Sequence, residues 1–308
     1  MSHDTKKSGT YGNGRQRWFC LSCKHYFCWK NKGCKQAREQ IWFKRWMIEG
    51  YSVRQLTQQS NHSRDKLYYI IDQSLKEDPP DTACNLEKHR YLIFDGTFLH
   101  RPKSMVVLMD ATSNQIFNGR YGVSENSENQ LTGFFEPLKA KGLNPTSCTV
   151  DGSPQPIKVI KKIWPDITIQ RCLVHIQRQG LVWCRRYPKT AYARQLKKIF
   201  LRVTCIKTKE ELDKFLKLVI QWERRYGQDI GQKPGKGWVF SDIKKARSML
   251  LKALPDMFHY LDDPAISYTT NGLESYFSRL KSHYRQHRGL SKNKLENYFK
   301  WYLFYKPK

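Results

Sequence analysis

The chain has 308 residues, and its 55 lysines and arginines outnumber its 27 aspartates and glutamates, which gives a formal net charge of +28. A charge this far from zero favours a polyanionic partner, and nucleic acid is the first candidate. No apolar run reaches the length of a spanning helix, and no signal or lipidation motif is present. The composition therefore argues against a membrane protein and favours the cytoplasm, and the length predicts two or three folded units.

The first part of the chain contains a cysteine motif. Nine cysteines, an odd number in a basic chain, indicate reduced thiols and metal binding rather than disulfides. Cys20 and Cys23 in RWFCLSCKHYF have the spacing of one zinc knuckle, and a complete Zn²⁺ site needs two more ligands. Either Cys28 and Cys34 supply them, or a first knuckle precedes the sequence as given, and of these two explanations we favour the second. Unliganded thiols remain the alternative to a zinc site in the chain as given. We predict a partial zinc-ribbon-like segment over residues 1–36, with the first 16 residues irregular.

Residues 37–78 have apolar side chains at helical spacing, with two interruptions. Ser52 and Ser63 stand where the N-caps of a second and a third helix are expected. This rhythm predicts a helix-turn-helix domain whose last helix lies in a major groove, with Arg64 and Lys66 contacting double-stranded DNA. A small helical packing domain is the alternative.

Beyond a predicted linker at 79–89, which contains paired prolines, the hydrophobic period changes. The order is three strands, helix, strand, helix, strand, which predicts an α/β fold with a mixed sheet of about five strands. The strands are predicted at 91–95, 105–109, 116–123, 148–151 and 167–170, and the helices at 128–140 and 156–164.

The remaining sequence is mostly helical. Residues 177–262 predict a basic helical insertion, interrupted by a loop at 227–238. A helix capped by Thr270 or Asn271 follows, and a final aromatic helix at 295–305 is predicted to be core. Three tryptophans of the insertion either stack on DNA or pack between helices, and packing is the reading we favour: Trp183, Trp222 and Trp238.

Two acids are each followed by glycine where a predicted strand ends, Asp95 and Asp151. Ligands gather at the carboxyl ends of strands in open α/β sheets, so the two side chains can converge there. Close together they would repel, whereas with Mg²⁺ or Mn²⁺ they become oxygen ligands for phosphodiester chemistry. We choose Glu274 as the third acid, since it lies in a first helical turn with Arg279 and Lys281 nearby to meet DNA. The rivals for the third position are Asp110, Glu125, Glu128 and Asp166.

These motifs together resemble the DDE transposases of the Mutator-like superfamily, which includes bacterial insertion-sequence transposases. The segments that carry the likeness are LIFDGTF with Asp95, CTVDGSPQPIKVIKKIWP with Asp151, IQRCLVHIQRQ with Cys172 and His175, and TTNGLESYFSRLK with Glu274. The first two acids are separated by 56 positions, and the second and third by 123.

The resemblance implies an RNase H-like catalytic core in two parts, 90–176 and 263–308, separated by the helical insertion at 177–262. It implies that Asp95, Asp151 and Glu274 bind Mg²⁺ or Mn²⁺, and that the ribbon and helix-turn-helix recognise transposon ends. The activity implied is metal-dependent strand cleavage and transfer of the 3′ hydroxyl into target DNA. A homodimer or higher oligomer in the synaptic complex, associated with a prokaryotic nucleoid, follows from the same resemblance.

Alternatives remain open at two points. Cys172 and His175 could form a zinc pair with His283 and His287, act as a nucleophile pair, or pack beside Asp151, which is the reading we favour. The rival functions are a structure-specific nuclease on the same fold and an inactive transposase remnant that only binds DNA.

Overall fold

The chain forms two compact units, Met1–Ser74 and Leu75–Lys308. No helix among the described residues is long and apolar enough to cross a membrane. A computed structural model describes residues 4–12, 14–28, 32–80, 85–100, 103–232, 238–287 and 289–307.

The first unit begins with a small antiparallel sheet of three strands: β1 (Thr5–Thr10), β2 (Gln16–Cys20) and β3 (Tyr26–Phe27). The prediction that the first 16 residues are irregular is therefore wrong. The sequence of β1, TKKSGT, contains no apolar residue. A hydrophobic pattern cannot reveal such a strand, because its pairing with β2 depends on backbone hydrogen bonds.

Three helices complete this unit: α1 (Lys32–Ile48), α2 (Val53–Ser60) and α3 (Arg64–Ser74). Ser52 forms a capping box with Gln55 at the start of α2. The Ser63 hydroxyl accepts a hydrogen bond from the Lys66 backbone N–H at 3.2 Å. The predicted helices and both caps are confirmed. The buried side chains that join the helices are Phe43, Met47, Leu56, Leu67 and Ile70.

The second unit contains a five-stranded sheet in the order β6-β5-β4-β7-β8. Strand β5 is antiparallel to both of its neighbours, β4 and β6, whereas β7 pairs in parallel with both β4 and β8. The predicted mixed α/β sheet is confirmed. The strands are β4 (Tyr91–His100), β5 (Lys103–Asp110), β6 (Gln115–Val123), β7 (Ser147–Val150) and β8 (Thr168–Arg171).

Asp95 does not end its strand, contrary to the prediction. Strand β4 continues to His100, and Asp95 lies opposite Val107 of β5. The parallel pairing with β7 stops earlier, at Ile93. Asp95 therefore lies just beyond the point where β7 leaves the side of β4. The antiparallel hairpin with β5 keeps the rest of β4 extended, which is a long-range effect that local sequence does not report.

Helices α4 (Glu128–Ala140) and α5 (Pro154–Ile163) pack on this sheet and confirm the predicted helices. Their apolar sides join the strands in one core. The buried members of that core from these two helices and from the turn after α5 are Leu131, Phe134, Phe135, Leu138, Val159, Ile160, Ile163, Trp164 and Ile167.

A helical region with its own core follows β8. Its helices are α6 (Leu173–Cys184), α7 (Ala191–Arg202), α8 (Lys209–Trp222), α9 (Gln228–Gln232) and α10 (Trp238–Ala253). The predicted loop at 227–238 is corrected in part, because a π-helical turn at 223–227 leads directly into α9. Arg247 of α10 donates to Glu223 in that turn at 2.9 Å, a tertiary contact that the sequence pattern cannot show.

The chain ends with α11 (Asn271–Arg285) and α12 (Lys292–Tyr305). The final helix buries Tyr298, Phe299 and Tyr302 almost completely, so its predicted core position is confirmed. Tyr276 of α11 packs edge-on against Tyr302, with ring centroids 5.9 Å apart.

Candidate active site

An open pocket of about 580 Å³ lies at one edge of the five-stranded sheet. Strands β4, β6 and β7 all run in the same direction, so their carboxyl ends face this edge. The pocket brings together all three predicted acids, which are far apart in the sequence. Its charged lining residues are Asp95, Glu125, Asp151, His175, Glu274 and Lys281.

The Asp95 carboxylate accepts a hydrogen bond from the Gly96 backbone N–H at 2.8 Å. Burial, and then the nearby charge of Asp151, raise the pKa of Asp95 to about 7. Two carboxylates that repel one another in a partly desolvated pocket need a cation if both are to be ionised. Asp95 is therefore a candidate cation ligand.

Asp151 directly follows β7, as predicted, and its carboxylate is fixed by the next turn. Ser153 donates to it from its backbone N–H at 2.8 Å and from its hydroxyl at 3.1 Å. Gly152 between them has φ +109°, and the guanidinium of Arg171 occupies the space that a side chain there would need. Burial lowers the pKa of Arg171, which also lies in the field of Asp151. Arg171 thus places a positive charge behind the Asp151 turn.

Glu274 lies in the first turn of α11, as predicted, and is held by α6. Arg178 donates two hydrogen bonds to its carboxylate oxygens, each at 3.1 Å. The Nε2 of His175 lies 3.3 Å from Oε1 of the same carboxylate. Sequence reasoning missed Arg178, although its position three residues after His175 puts both on the same face of α6.

Cys172 and His175 connect α6 to the start of α11. The buried Cys172 thiol accepts hydrogen bonds from the Thr270 N–H at 3.3 Å and from its hydroxyl at 3.5 Å. That hydroxyl also lies 3.4 Å from Nδ1 of His175. We expected Thr270 or Asn271 to cap α11. Thr270 occupies the N-cap position, but its side chain makes no capping hydrogen bond, because its hydroxyl is directed at α6.

The hydrogen bonds of Cys172 and His175 to Thr270 favour the packing interpretation of this pair. A nucleophile needs access to substrate, and Cys172 is fully buried. Among the described residues, which include His283 and His287, no group of three potential ligands could hold a zinc ion. Burial opposes ionisation of the Cys172 thiol, but hydrogen bonds from His175 and Thr270 outweigh it and lower its pKa to about 7. The thiol in turn raises the pKa of His175.

The four rival candidates for the third acid differ in their partners, in their exposure and in whether they line the pocket. Asp110 accepts from His89 at 2.8 Å in a buried pair that stacks on Phe117. Glu128 pairs with Lys158 at 2.7 Å, and Asp166 is exposed. Glu125 alone among them lines the pocket. Burial, and then the charge of Asp151, raise its pKa to about 7.

The donor set of the pocket suits a divalent cation. Its acids offer only oxygen ligands, which Mg²⁺ and Mn²⁺ prefer. Oε1 of Glu125 is buried with no hydrogen-bond partner, as expected of an atom that awaits a ligand. Within the described ranges no three acids lie close enough to share one ion as they stand, and Glu274 is engaged by Arg178 and His175.

The side chains predicted to contact DNA differ in their exposure and in the contacts that they already make. Lys281 lines the pocket, whereas Arg279 is exposed with its guanidinium 5.9 Å from the Tyr276 ring. Arg64 is exposed and lies over the Tyr68 ring. Lys66 forms an ion pair with Glu39 at 2.7 Å, so its charge is already partnered.

Cys20 ends β2, and Cys23 lies in the turn that follows, where its N–H donates to the Cys20 thiol at 3.5 Å.

Trp222 is buried and donates to the Tyr192 carbonyl at 2.9 Å, which confirms packing as its role. Trp183 also packs against the helical core. The side chains of Cys34 and Trp238 lie outside the described residues.

Residues 108–233 match the family described as Transposase, Mutator family. The match runs from β5 to the end of α9 and includes Asp151, Cys172 and His175. It confirms the resemblance to Mutator-like transposases that the order of the motifs predicted. A search of curated proteins finds no match to the chain.

Proposed function

We propose that this chain, a Mutator-like transposase by its match over residues 108–233, cleaves DNA at the ends of an insertion sequence and joins the freed 3′ hydroxyl to target DNA. The observation that carries the proposal is the pocket shared by Asp95, Asp151 and Glu274. These acids come from β4, the turn after β7 and α11, on either side of the helical insertion. Acids brought together from such separate positions favour metal-dependent phosphodiester chemistry.

In this proposal Asp95 and Asp151 hold the divalent cation, and Glu274 completes its environment. When bound, the cation would stabilise the charge that develops on the attacking and leaving oxygens of the phosphodiester. Lys281 lines the same pocket and would bind a phosphate oxygen of the DNA strand. His175 and Arg178 orient Glu274 from α6, and Ser153 fixes the Asp151 carboxylate.

The surrounding architecture supports finer proposals. The sheet order β6-β5-β4-β7-β8, with an antiparallel hairpin pair beside parallel strands, suits an RNase H-like core formed by 90–176 and 263–308. Residues 177–262 would be its helical insertion, and residues 79–89 the linker. Within 37–78, α2, the turn at 61–63 and α3 suit a helix-turn-helix that presents Arg64 to DNA.

A zinc site in residues 1–36 is a separate proposal. The Cys20 thiol accepts from the Cys23 N–H, and Lys24 adopts a left-handed φ of 59°, which suits one knuckle of a zinc ribbon. The two thiols would supply half of the ligands of one Zn²⁺. Elemental analysis of the purified protein before and after Cys23→Ser tests this, and an unchanged zinc content would contradict it.

A strand-transfer assay with the element's own ends, in Mg²⁺ or Mn²⁺, tests the proposed activity. Asp95→Asn, Asp151→Asn and Glu274→Gln should each lower cleavage and joining by about 100-fold or more, because each removes a carboxylate charge that would hold the cation against the reacting phosphate. Asp166→Asn is the matched control, since Asp166 is exposed and outside the pocket.

The outcomes separate the rival functions. A wild-type protein that cleaves but never joins strands would be a nuclease, and one that only binds ends would be a remnant. Full activity in one of the three pocket variants would remove that acid from the proposed site. Synapsis of two ends would require a dimer or higher oligomer, which light scattering of the protein with end DNA measures.

A further inference from the structure

We infer that Glu125 is a fourth carboxylate of the divalent-cation site, in addition to the three acids of the motif order. The inference rests on the proposed function and deepens it. Glu125 lines the pocket together with Asp95, Asp151 and Glu274. It follows the end of β6 by two residues, in the loop that leads to α4.

The Glu125 carboxylate is the acidic group of the pocket with an unsatisfied atom. Its Oε1 is buried and has no hydrogen-bond partner. The other three acids each accept hydrogen bonds, from Gly96, from Ser153 and from Arg178 respectively. A buried carboxylate oxygen with no donor is unfavourable, and the field of Asp151 adds repulsion. A cation between these acids would relieve both effects.

The backbone around Glu125 is fixed on both sides, so the inward position of the side chain is built into the loop. Before it, the Ser124 N–H donates to the side chain of Gln130 at 2.6 Å. After it, the Ser127 hydroxyl accepts from the Gln130 N–H at 3.4 Å and begins α4. Gln130 therefore ties both flanks of Glu125 to the first turn of that helix.

Glycine at position 96 makes room for the Glu125 carboxylate. A methyl group on Gly96 would overlap the carboxylate of Glu125. The φ of Gly96 does not require glycine, so the missing side chain serves the close approach rather than a turn. Gly96 is the neighbour of Asp95 on β4, and both residues line the pocket.

Topology explains why an acid after β6 can reach the acids of β4 and β7. Two successive antiparallel pairings make β6 run in the same direction as β4. The carboxyl end of β6 therefore faces the same edge as the Asp151 turn. Oxygen ligands from several strand ends suit Mg²⁺ or Mn²⁺, which bind carboxylates together with water and phosphate.

Mn²⁺ binding to the full chain without DNA, followed by electron paramagnetic resonance, tests the inference independently of catalysis. Glu125→Gln should lower the affinity for Mn²⁺ by about tenfold or more, comparable with the loss of a supporting ligand in other metal sites. Gly96→Ala should lower it similarly, because the methyl group displaces the Glu125 carboxylate without removing it. Glu128→Gln is the matched control, because Glu128 pairs with Lys158 outside the pocket and should bind Mn²⁺ as the wild type does.

Strand cleavage by the same variants distinguishes this inference from the proposed function. If Asp95→Asn and Asp151→Asn lose Mn²⁺ and cleavage while Glu125→Gln keeps both at wild-type levels, Glu125 is no ligand and the proposed function stands. If Asp95→Asn and Asp151→Asn also keep both, the proposed function fails as well. Circular dichroism checks that Glu125→Gln is folded, and an unfolded variant leaves Gly96→Ala to decide between the same outcomes.

Discussion

At the scale of residues, the Cys-x-x-His motif and Arg178 connect the start of α6 to Thr270 and Glu274 of the α11 region. Cys172, His175 and Arg178 are spaced by three along the start of α6, so they project toward the same neighbour. Cys172 and His175 contact Thr270 at the start of α11, and His175 and Arg178 contact Glu274 one turn later. These contacts support a positioning role for the motif at a pocket acid.

Substitution of Cys172 tests this positioning role. Cys172→Ala leaves the buried Thr270 N–H without its acceptor, and we expect it to lower the free energy of unfolding by about 2 kcal/mol. Cys172→Ser keeps an acceptor and should lose less. Urea unfolding measures both, with Cys205→Ala, at an exposed thiol, as the control that should change little. Equal stability of the alanine variant and the wild type would refute the role.

Sequence reasoning located residues whose signal is local. Asp151 was identifiable because an acid directly after a buried strand stands at a sheet edge, and the structure places it there. Arg178 and Arg171 could not be assigned, because their partners lie across the fold, at Glu274 and behind the Gly152 turn. Glu125 was one of several rival acids, and only tertiary contacts distinguish it from Glu128, since Glu125 lines the pocket and Glu128 pairs with Lys158.

At the scale of elements, the turn between β7 and α5 combines two constraints at one glycine. Gly152 has φ +109°, a conformation that side chains disfavour, and the Arg171 guanidinium fills the adjacent space. The turn also carries Asp151 and the Ser153 hydrogen bonds to it. A change at Gly152 should therefore affect both stability and the position of the acid.

Gly152→Ala should lower the free energy of unfolding by about 3 kcal/mol, because it adds backbone strain and displaces Arg171. Gly122→Ala is the matched control, since Gly122 has φ +86° but open space around its α-carbon. It should cost only the strain, on the order of 1 kcal/mol. Thermal or urea unfolding compares the two. Equal losses would show that Arg171 moves aside freely.

Elements with a clear hydrophobic period were predictable, and those that depend on distant partners were not. Helix α4 has the predicted bounds, and α12 starts only three residues before its predicted start. The hydrophobic pattern did not predict the polar strand β1, the far end of β4 or the π-helical turn before α9. Each of these is held by pairing or by an ion pair with a residue elsewhere in its unit.

At the scale of the whole molecule, the net charge of +28 and the two compact units support a proposed separation of tasks. The first unit contains Arg64, and the second contains the acidic pocket with Lys281. An acidic pocket in a strongly basic chain lets long-range attraction for DNA coexist with a local site for cations. Binding of end DNA and cleavage should then respond to different substitutions.

Arg64→Ala should weaken binding of end DNA by about tenfold, because an exposed guanidinium on the proposed recognition helix α3 is lost. Lys66→Ala, two residues away, should weaken it less, since Lys66 is already paired with Glu39. Lys281→Ala should reduce cleavage while affinity for the ends falls little, because the phosphate contact proposed for it would be one among many. Binding isotherms between about 50 and 200 mM salt measure these affinities, and each lost phosphate contact lowers the salt slope by about 0.9.

If Lys66→Ala weakens DNA binding as strongly as Arg64→Ala, the ion pair between Lys66 and Glu39 opens on DNA and both cations contact the DNA. If Lys281→Ala weakens end binding as strongly as Arg64→Ala, recognition of the ends extends into the pocket and the separation of tasks is wrong.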